Sequence, residues 1–186
     1  VYKSQASTRS SIGYVLASTL MMSAIWGYIN SSQQLIAEHF GAGEMFPYIF
    51  GLLALGMALA NLVNARIVER FGARRVSHAG LFLFIAVASV QVWFAFSPVQ
   101  TLWQFVPLMA LNMALVGFMG ANFGSIALQP FGDNAGAASS VQGFIRVILA
   151  SVLGGLFGQA YDGSARPIAL ALLAAGVLAL LLVLFS

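Results

Sequence analysis

The stretch NARIVERFGARR, residues 64–75, lies between two long apolar runs of a 186-residue chain. It contains four of the eight lysines and arginines and one of the five acids, although only 7% of the whole chain is charged. Soluble domains carry about 25% charged residues, so this chain has too few charges to cover a water-facing surface. With 60% hydrophobic residues, the composition predicts a protein embedded in a lipid bilayer, with the charged stretch as a loop at its surface.

Six segments on either side of this stretch and beyond are long enough to cross a bilayer, which takes roughly 20 apolar residues. The runs are uniformly apolar and lack the alternation of barrel strands, so we expect helices. The predicted fold is an all-α membrane protein, a bundle of six transmembrane helices that follows a cytoplasmic linker at residues 1–11. The predicted spans are residues 12–37, 46–65, 76–96, 102–128, 135–161 and 167–185.

The loops between these spans differ in charge. If the N-terminus is cytoplasmic, six lysines and arginines lie on the cytoplasmic side, and only Arg166 lies on the other. Cytoplasmic loops of membrane proteins carry an excess of basic residues, so the asymmetry predicts that both termini are cytoplasmic. The six basic residues are Lys3, Arg9, Arg66, Arg70, Arg74 and Arg75.

The composition argues against several classes of function. The chain has no cysteine, which excludes disulfides, thiolate metal sites and cysteine nucleophiles. The serines have no nearby His/Asp set and there is no phosphate-binding glycine loop, so we expect neither an enzyme nor a bound cofactor or metal. The net charge of +3 follows from membrane topology and gives no reason to expect a nucleic-acid partner.

The two ends of the chain are unusual for a complete membrane protein. The chain begins with VYKSQASTRSS, which is typical of the end of a linker, and stops at LLLVLFS without a basic or polar anchor after the last span. Both features favour a fragment, or half, of a longer protein.

The order of residues in the charged stretch is more informative than their charge. A glycine at position 72 is placed to cap the preceding helix in a left-handed conformation and let the chain turn back. Glu69, three residues earlier, is placed to accept hydrogen bonds from the N-terminus of a neighbouring helix. A basic pair, Arg74 and Arg75, follows the turn.

This order resembles the signature of the major facilitator superfamily, roughly G-x-(L/I)-x-D-R-x-G-R-R, found between the second and third helices of each six-helix half. Here Ala65 replaces the first glycine, Glu69 the aspartate and Ala73 one arginine, while the second glycine and the other arginines are present. The resemblance implies a cytoplasmic latch that bridges to the other half and holds one conformation, consisting of Glu69, Arg70, Gly72, Arg74 and Arg75.

Two further segments narrow the resemblance. Residues 127–159, ALQPFGDNAGAASSVQGFIRVILASVLGGLFGQ, look like the start and body of the eleventh helix of drug:proton antiporters, most closely the Bcr/CflA branch. Residues 10–36, SSIGYVLASTLMMSAIWGYINSSQQLI, are similar to the seventh helix of that branch. The chain therefore resembles helices seven to twelve, one half of the major facilitator fold built of two inverted three-helix repeats.

The resemblance implies a function and its setting. It implies export of small amphiphilic drugs by proton-coupled alternating access in the bacterial inner membrane, with the proton gradient as the energy source. The implied partners are the lipid bilayer, a small-molecule substrate, and an N-terminal six-helix half or a second copy of this chain. A metabolite or siderophore transporter, and a six-helix module that transports nothing, remain as alternatives.

Polar side chains inside the spans are the candidates for substrate contact, because they are costly in hydrocarbon unless they face a cavity or another helix. Arg146 lies eleven residues into the fifth span, and Gln142 lies one turn earlier on the same face. Arg146 is expected either to pair with backbone carbonyls or an acid of another half, or to line a cavity. In the second case it would favour neutral or anionic amphiphiles such as phenicols.

Three more polar residues are candidates. Asn112, in the middle of the fourth span, is expected to form an interhelical hydrogen bond or to line the cavity. Tyr28 and Asn30, in the outer half of the first span, are expected to mark the membrane interface or to contact substrate.

Glycine spacing and acid placement complete the sequence-based expectations. Glycines four residues apart let helices approach closely, and three such pairs are 120/124, 132/136 and 154/158.

A proton-coupling acid is expected outside this chain, because all five acids lie at predicted helix ends or in loops, with Asp133 as a helix N-cap. The acids are Glu38, Glu44, Glu69, Asp133 and Asp162.

Overall fold

A computed structural model describes residues 2–186, and the side chains of residues 2–10 and 133 lie outside its description. The predictions for the side chains of Lys3 and Arg9, and for Asp133 as a helix cap, therefore fall outside the described part of the chain.

Six long helices form nearly all of the molecule, and residues 2–186 contain no strand. All six are long and apolar enough to cross a membrane, which confirms the all-α fold with six candidate spans. Short π-helical and 3-10 segments at Leu35–His39, Gly43–Met45 and Gln129–Asn134 join some of them. The long helices are α1 (Tyr2–Gln34), α2 (Phe46–Phe71), α3 (Ala73–Ala95), α4 (Leu102–Leu128), α5 (Ala135–Gln159) and α6 (Arg166–Leu184).

Two boundaries differ from the predicted ones by more than three residues. Helix α1 begins at Tyr2, so it extends back through the segment predicted as a linker. Helix α2 continues to Phe71, so most of the charged stretch is the end of a helix and only Gly72 separates it from α3. Hydropathy detects where a helix leaves the hydrocarbon, whereas the backbone hydrogen bonds of a helix continue into water as long as its residues favour it.

The arrangement of the helices is centred on α1 and α4. Helix α1 packs on α4, α5 and α6, whereas α4 packs on α1, α2 and α3, and α3 also packs on α6. These contacts match when α1, α2 and α3 are taken as the equivalents of α4, α5 and α6. The α1–α5 contact then corresponds to α4–α2, and the α3–α4 contact corresponds to α6–α1. Helices α1–α3 and α4–α6 therefore occupy equivalent positions in the bundle.

The outer helices α2 and α5 are the most exposed. In the most apolar part of each, only 11% of the residues are buried, against 56% in α1. The exposed side chains are large and hydrophobic, for example Leu55 and Leu62 on α2 and Phe144 and Val152 on α5. An apolar helix surface of this kind is stable only against lipid or against other apolar helices.

The two ends of the bundle differ in chemistry. Tyr48, Trp93 and Trp103 lie at one end and are 79%, 78% and 74% exposed. The exposed arginines around the α2–α3 junction lie at the other end. Exposed Trp and Tyr are typical of the membrane interface, and clustered basic residues are typical of its cytoplasmic side.

Close contact between α1 and α5 depends on two glycines. A Cβ atom added to Gly154 would lie 3.0 Å from the backbone nitrogen of Gly27 and 3.0 Å from the carbonyl oxygen of Ser23. One added to Gly158 would lie 2.6 Å from the Cβ of Asn30. This agrees with the expectation from the four-residue glycine spacing for the 154/158 pair.

The other two glycine pairs do not bring helices together in the described structure. Cβ atoms added at positions 120, 132 and 136 would meet nothing within 4 Å, and one at position 124 would meet only Arg146. The same spacing therefore marks a helix contact in one place and open space in the others.

Substitution of Gly154 by alanine should destabilise the bundle, because the new methyl group must displace the backbone of α1. Overpacking of this kind costs about 1–3 kcal/mol. The matched control is Gly155→Ala, one residue away, where an added Cβ meets nothing within 4 Å. Thermal unfolding in detergent should show a lower midpoint for Gly154→Ala alone, and equal midpoints for the two variants would contradict the α1–α5 contact.

Candidate functional site

A cavity of about 410 Å³ lies between α1, α4 and α5. Helices α4 and α5 touch little, and the cavity lies between them. Among the described side chains that line it, Arg146 is the only charged one. The lining residues are Ser18, Met21, Met22 and Ile25 of α1, Val116, Gly117, Gly120, Ala121, Gly124 and Ser125 of α4, and Arg146 of α5.

Small residues of α4 create this space. Gly117, Gly120 and Gly124 follow one another at three- and four-residue spacing, so they lie on one face of the helix. A Cβ atom added at Gly120 would meet nothing within 4 Å in the described structure and one at Gly124 would meet only Arg146, whereas Gly117 packs against Met57 of α2. The opposite wall contains two methionines, which are flexible and polarizable and adapt to ligands of different shape. The cavity is thus an apolar chamber with flexible side chains on one wall and the guanidinium of Arg146 at one side.

The structure places Arg146 on the wall of this cavity. Its side chain is partly exposed, and its Nε atom is buried without a hydrogen-bond partner in the described chain. A Cβ atom added to Gly124 would lie 3.7 Å from the guanidinium Nη1, so the charged group faces the glycine groove of α4. A buried guanidinium nitrogen without an acceptor is costly, and an anionic group brought to it would form a charge-assisted hydrogen bond.

Gln142, one turn before Arg146, joins helices together. Its Nε2 donates to the Ser11 hydroxyl at 3.2 Å and lies 3.5 Å from the carbonyl oxygen of Ala127. The Ser11 hydroxyl also donates to this carbonyl, at 2.7 Å. The network connects α5 with α1 and with the end of α4, and Gln142 is not among the residues that line the Arg146 cavity.

Tyr28 lines a second, smaller cavity of about 130 Å³ between α1, α2 and α4. Its side chain is only 2% exposed, so it is buried between the helices. The ring stacks on Phe50 with a centroid distance of 6.4 Å, and the hydroxyl is buried without a partner in the part of the chain that the structure describes. Ile25 lines both this cavity and the Arg146 cavity, so the two are neighbours. The remaining lining residues are Ile29, Leu53, Ala54, Met57 and Met113.

Asn30 lies away from both cavities. It is exposed at the end of the bundle that carries Tyr48, in a polar cleft of about 590 Å³ with Gln34 and Tyr161. The Tyr161 hydroxyl donates to the carbonyl oxygen of Gln34 at 3.4 Å. Partial burial and the nearby carboxylate of Glu38 raise the pKa of the Tyr161 phenol. The structure therefore separates Asn30 from the other candidate residues.

Asn112 is fully buried between α3 and α4. Its Nδ2 donates to the Oε1 of Gln91 at 2.6 Å, and its Oδ1 has no partner in the described structure. Gln91 is also fully buried, and its Nε2 contacts the sulfur of Met109 at 3.5 Å. Of the two expectations for Asn112, the interhelical hydrogen bond is the one that the structure contains.

A second buried amide pair lies outside the sequence-based expectations. Asn64 of α2 and Asn122 of α4 exchange two hydrogen bonds, of 3.0 and 2.9 Å, and are 5% and 4% exposed. Asn64 begins the charged stretch, which the composition predicts to be a surface loop. The predicted second and fourth spans each contain two asparagines, at positions 61 and 64 and at positions 112 and 122, and the sequence does not show which of them pair.

The segment with latch-like sequence is a sharp turn between two helices. Gly72 has φ +81° and ψ 144°, and its N–H donates to the carbonyl oxygen of Val68 at 2.8 Å. The positive φ explains the glycine, but this ψ lies outside the expected left-handed helical conformation. Its neighbours Glu69, Arg70, Arg74 and Arg75 are all exposed.

The contacts of these charged side chains are aromatic. The guanidinium of Arg70 lies 5.5 Å from the centre of the Phe71 ring, and that of Arg74 lies 6.0 Å from the centre of the Tyr14 ring. The expected hydrogen bonds from a helix N-terminus to Glu69 are not found in the described chain. The charges of the turn are therefore available to another surface.

Comparison with known proteins identifies no relative, since no protein-family model, no curated protein and no solved structure matches this chain.

The Asn64–Asn122 pair should contribute measurably to stability. Replacing either residue by alanine removes both hydrogen bonds and leaves one buried amide unpaired, so the double variant should lose less than the sum of the single losses. Interhelical hydrogen bonds in membrane proteins average about 0.6 kcal/mol in such cycles, with a maximum of about 1.7 kcal/mol. Unfolding of the three variants in mixed detergent measures this coupling, and strictly additive losses would show that the pair contributes nothing.

Proposed function

We propose that this chain is a six-helix module of a secondary active transporter of the major facilitator type, which exports small amphiphilic molecules by alternating access. The observation that carries the proposal is the chamber between α1, α4 and α5, where methionines and glycines surround one arginine inside a bundle of candidate membrane spans. A flexible apolar wall with one charged group suits substrates that have an apolar body and a polar end.

The equivalent positions of α1–α3 and α4–α6 support the repeat architecture. A unit of three spans begins on one side of the membrane and ends on the other. A second such unit therefore starts from the opposite side and is inverted relative to the first. In transporters of this kind the substrate site lies where the repeats meet. The Arg146 cavity lies between α1 of the first unit and α4 and α5 of the second, in agreement with such a site.

The exposed apolar surfaces of α2 and α5 support the proposed partner. A second six-helix body, either an N-terminal half or another copy of this chain, would cover these helices and close the cavity on its open side. The two bodies would then rock about the chamber and expose it to one side of the membrane at a time.

The proposed orientation and latch follow from the charges at the α2–α3 turn. We place this turn and both termini in the cytoplasm of a bacterium, with the protein in the inner membrane. Glu69, Arg70, Arg74 and Arg75 are exposed, and we propose that they bridge to the second body in one conformation.

The proposed energy source is the proton gradient, and the coupling acid is proposed to lie outside this chain. Glu38, Glu44, Glu69 and Asp162 are exposed and lie in connections or at helix ends. A coupling carboxylate is expected inside the membrane, where a change of protonation can be linked to the conformation.

Export can be tested with the complete reading frame expressed in cells that lack their own drug exporters. These cells should accumulate less chloramphenicol than cells with an empty vector, and a protonophore should abolish the difference. Equal accumulation with and without the protein would contradict export of phenicol-type drugs. A panel of siderophores and central metabolites, measured in the same cells, tests the alternative substrate classes.

The proposed latch predicts that Glu69→Ala shifts the balance between conformations. The chain has no cysteine, so single reporters at Ser18→Cys, in the Arg146 cavity, and at Asn30→Cys, in the polar cleft, can be labelled without background from this chain. Loss of the carboxylate should change the ratio of the two labelling rates in the complete transporter. Glu44→Ala, an exposed acid at the other end, is the control. An unchanged labelling pattern on both sides would contradict the latch.

A further inference from the structure

We propose that the Arg146 cavity and the Tyr28 cavity together form one elongated site for an amphiphilic monoanion, whose charged group binds Arg146 and whose apolar body extends past Ile25 towards Tyr28. The inference rests on the proposed function in assigning the substrate to this chamber. It narrows the substrate class from neutral or anionic amphiphiles to anions with an apolar body.

The charged end of the site is defined by what surrounds Arg146. No acidic side chain lines the cavity among the described residues, and the Nε of Arg146 is buried without a partner. The guanidinium presents N–H donors in a planar fork that matches a carboxylate. A cation without a compensating acid in the described lining disfavours a second cation and leaves a neutral ligand with a weaker hydrogen bond. An anion is the ligand that best compensates it.

The apolar end is defined by the second cavity. Its lining is apolar except for the Tyr28 hydroxyl, which is buried and has no partner among the described side chains. Phe50 stacks on the tyrosine ring and gives the cavity a flat aromatic wall. A ligand group that enters this cavity would therefore be hydrocarbon or aromatic.

Flexible side chains separate the two cavities. Ile25 lines both, and Met57 of the second cavity lies against Gly117 of the first, where an added Cβ would be 2.6 Å from the Met57 Cγ. A methionine has three rotatable bonds and changes conformation at low cost. A shift of Met57 would connect the two spaces, and the larger cavity alone is already within the range of about 300–1,000 Å³ typical of ligand sites.

The test is a comparison of three ligands that share one apolar body. The purified complete transporter is placed in phosphatidylcholine nanodiscs, and binding of 4-hexylbenzoate, 4-hexylbenzamide and 4-hexylbenzylamine is measured by calorimetry at about pH 7.5, with empty nanodiscs subtracted. The benzoate should bind about tenfold or more tightly than the amide, as expected for a charge-assisted hydrogen bond, and the amine should bind most weakly. Equal affinities for benzoate and amide would overturn the proposal.

Two pairs of variants locate the charge recognition. Arg146→Gln should weaken benzoate binding by about ten- to a hundredfold and leave amide binding unchanged. Arg66→Gln removes the same charge from an exposed position on α2 and should have no effect. Gly124→Asp places a carboxylate beside the guanidinium and should weaken benzoate binding, whereas Gly124→Asn, of similar size and no charge, should not. Equal effects within either pair would overturn the proposal, and the Gly124 pair answers the question even if Arg146→Gln fails to fold.

Lipid composition and cellular export distinguish anion recognition from lipid binding and from transport. If phosphatidylglycerol in the nanodisc abolishes benzoate binding, the site holds a lipid headgroup and the proposal is overturned. If benzoate binding depends on Arg146 while the cells export no compound, the proposed transport fails and the inference stands. If export occurs without preference for anions, the inference alone fails.

Discussion

Polar groups buried among apolar helices must find a partner, and this constraint organises the bundle. The hydroxyls of Ser18 and Thr19 donate back to the carbonyl oxygen of Val15 within α1, which satisfies them without involving another helix. Amide side chains pair across helices, as Asn64 does with Asn122. The Arg146 Nε and the Tyr28 hydroxyl have no partner in the described structure, and both side chains line cavities. These two unsatisfied groups thus lie where a ligand can reach them.

Glycine has two opposite effects in the same bundle. At Gly154 and Gly158 it brings α5 against α1 so closely that no side chain fits between them. On α4 the same four-residue spacing, at Gly120 and Gly124, leaves open space that forms part of the Arg146 cavity. The difference lies in the opposing helix, because α1 approaches α5 directly whereas α4 and α5 remain apart. A tight contact and a chamber therefore occur side by side, with Arg146 between them on α5.

The candidate site could be predicted in part. An arginine deep in an apolar span is informative by itself, because such a charge must face a cavity or a partner wherever the helix packs. Asn112 and Gln142 are equally reasonable candidates by their depth, yet the structure uses both to join helices. Tyr28 is expected near the membrane interface or the substrate, and its burial beside Phe50 is not foreseeable. The residue number shows how deep a side chain lies along its helix. It does not show which neighbouring helix that side chain meets.

The sequence by itself determined the six helices, the different chemistry of the two ends and the glycine turn at Gly72, because span length, hydropathy and backbone conformation are local properties. Only the tertiary structure decided which helices touch, which polar residues pair and where the cavities lie. The physical reason is that the helices are apolar on nearly all faces, so no amphipathic stripe shows which face meets a neighbour. Pairing then depends on the fit of small and large side chains, as between Gly154 and Trp26, which only the assembled bundle defines.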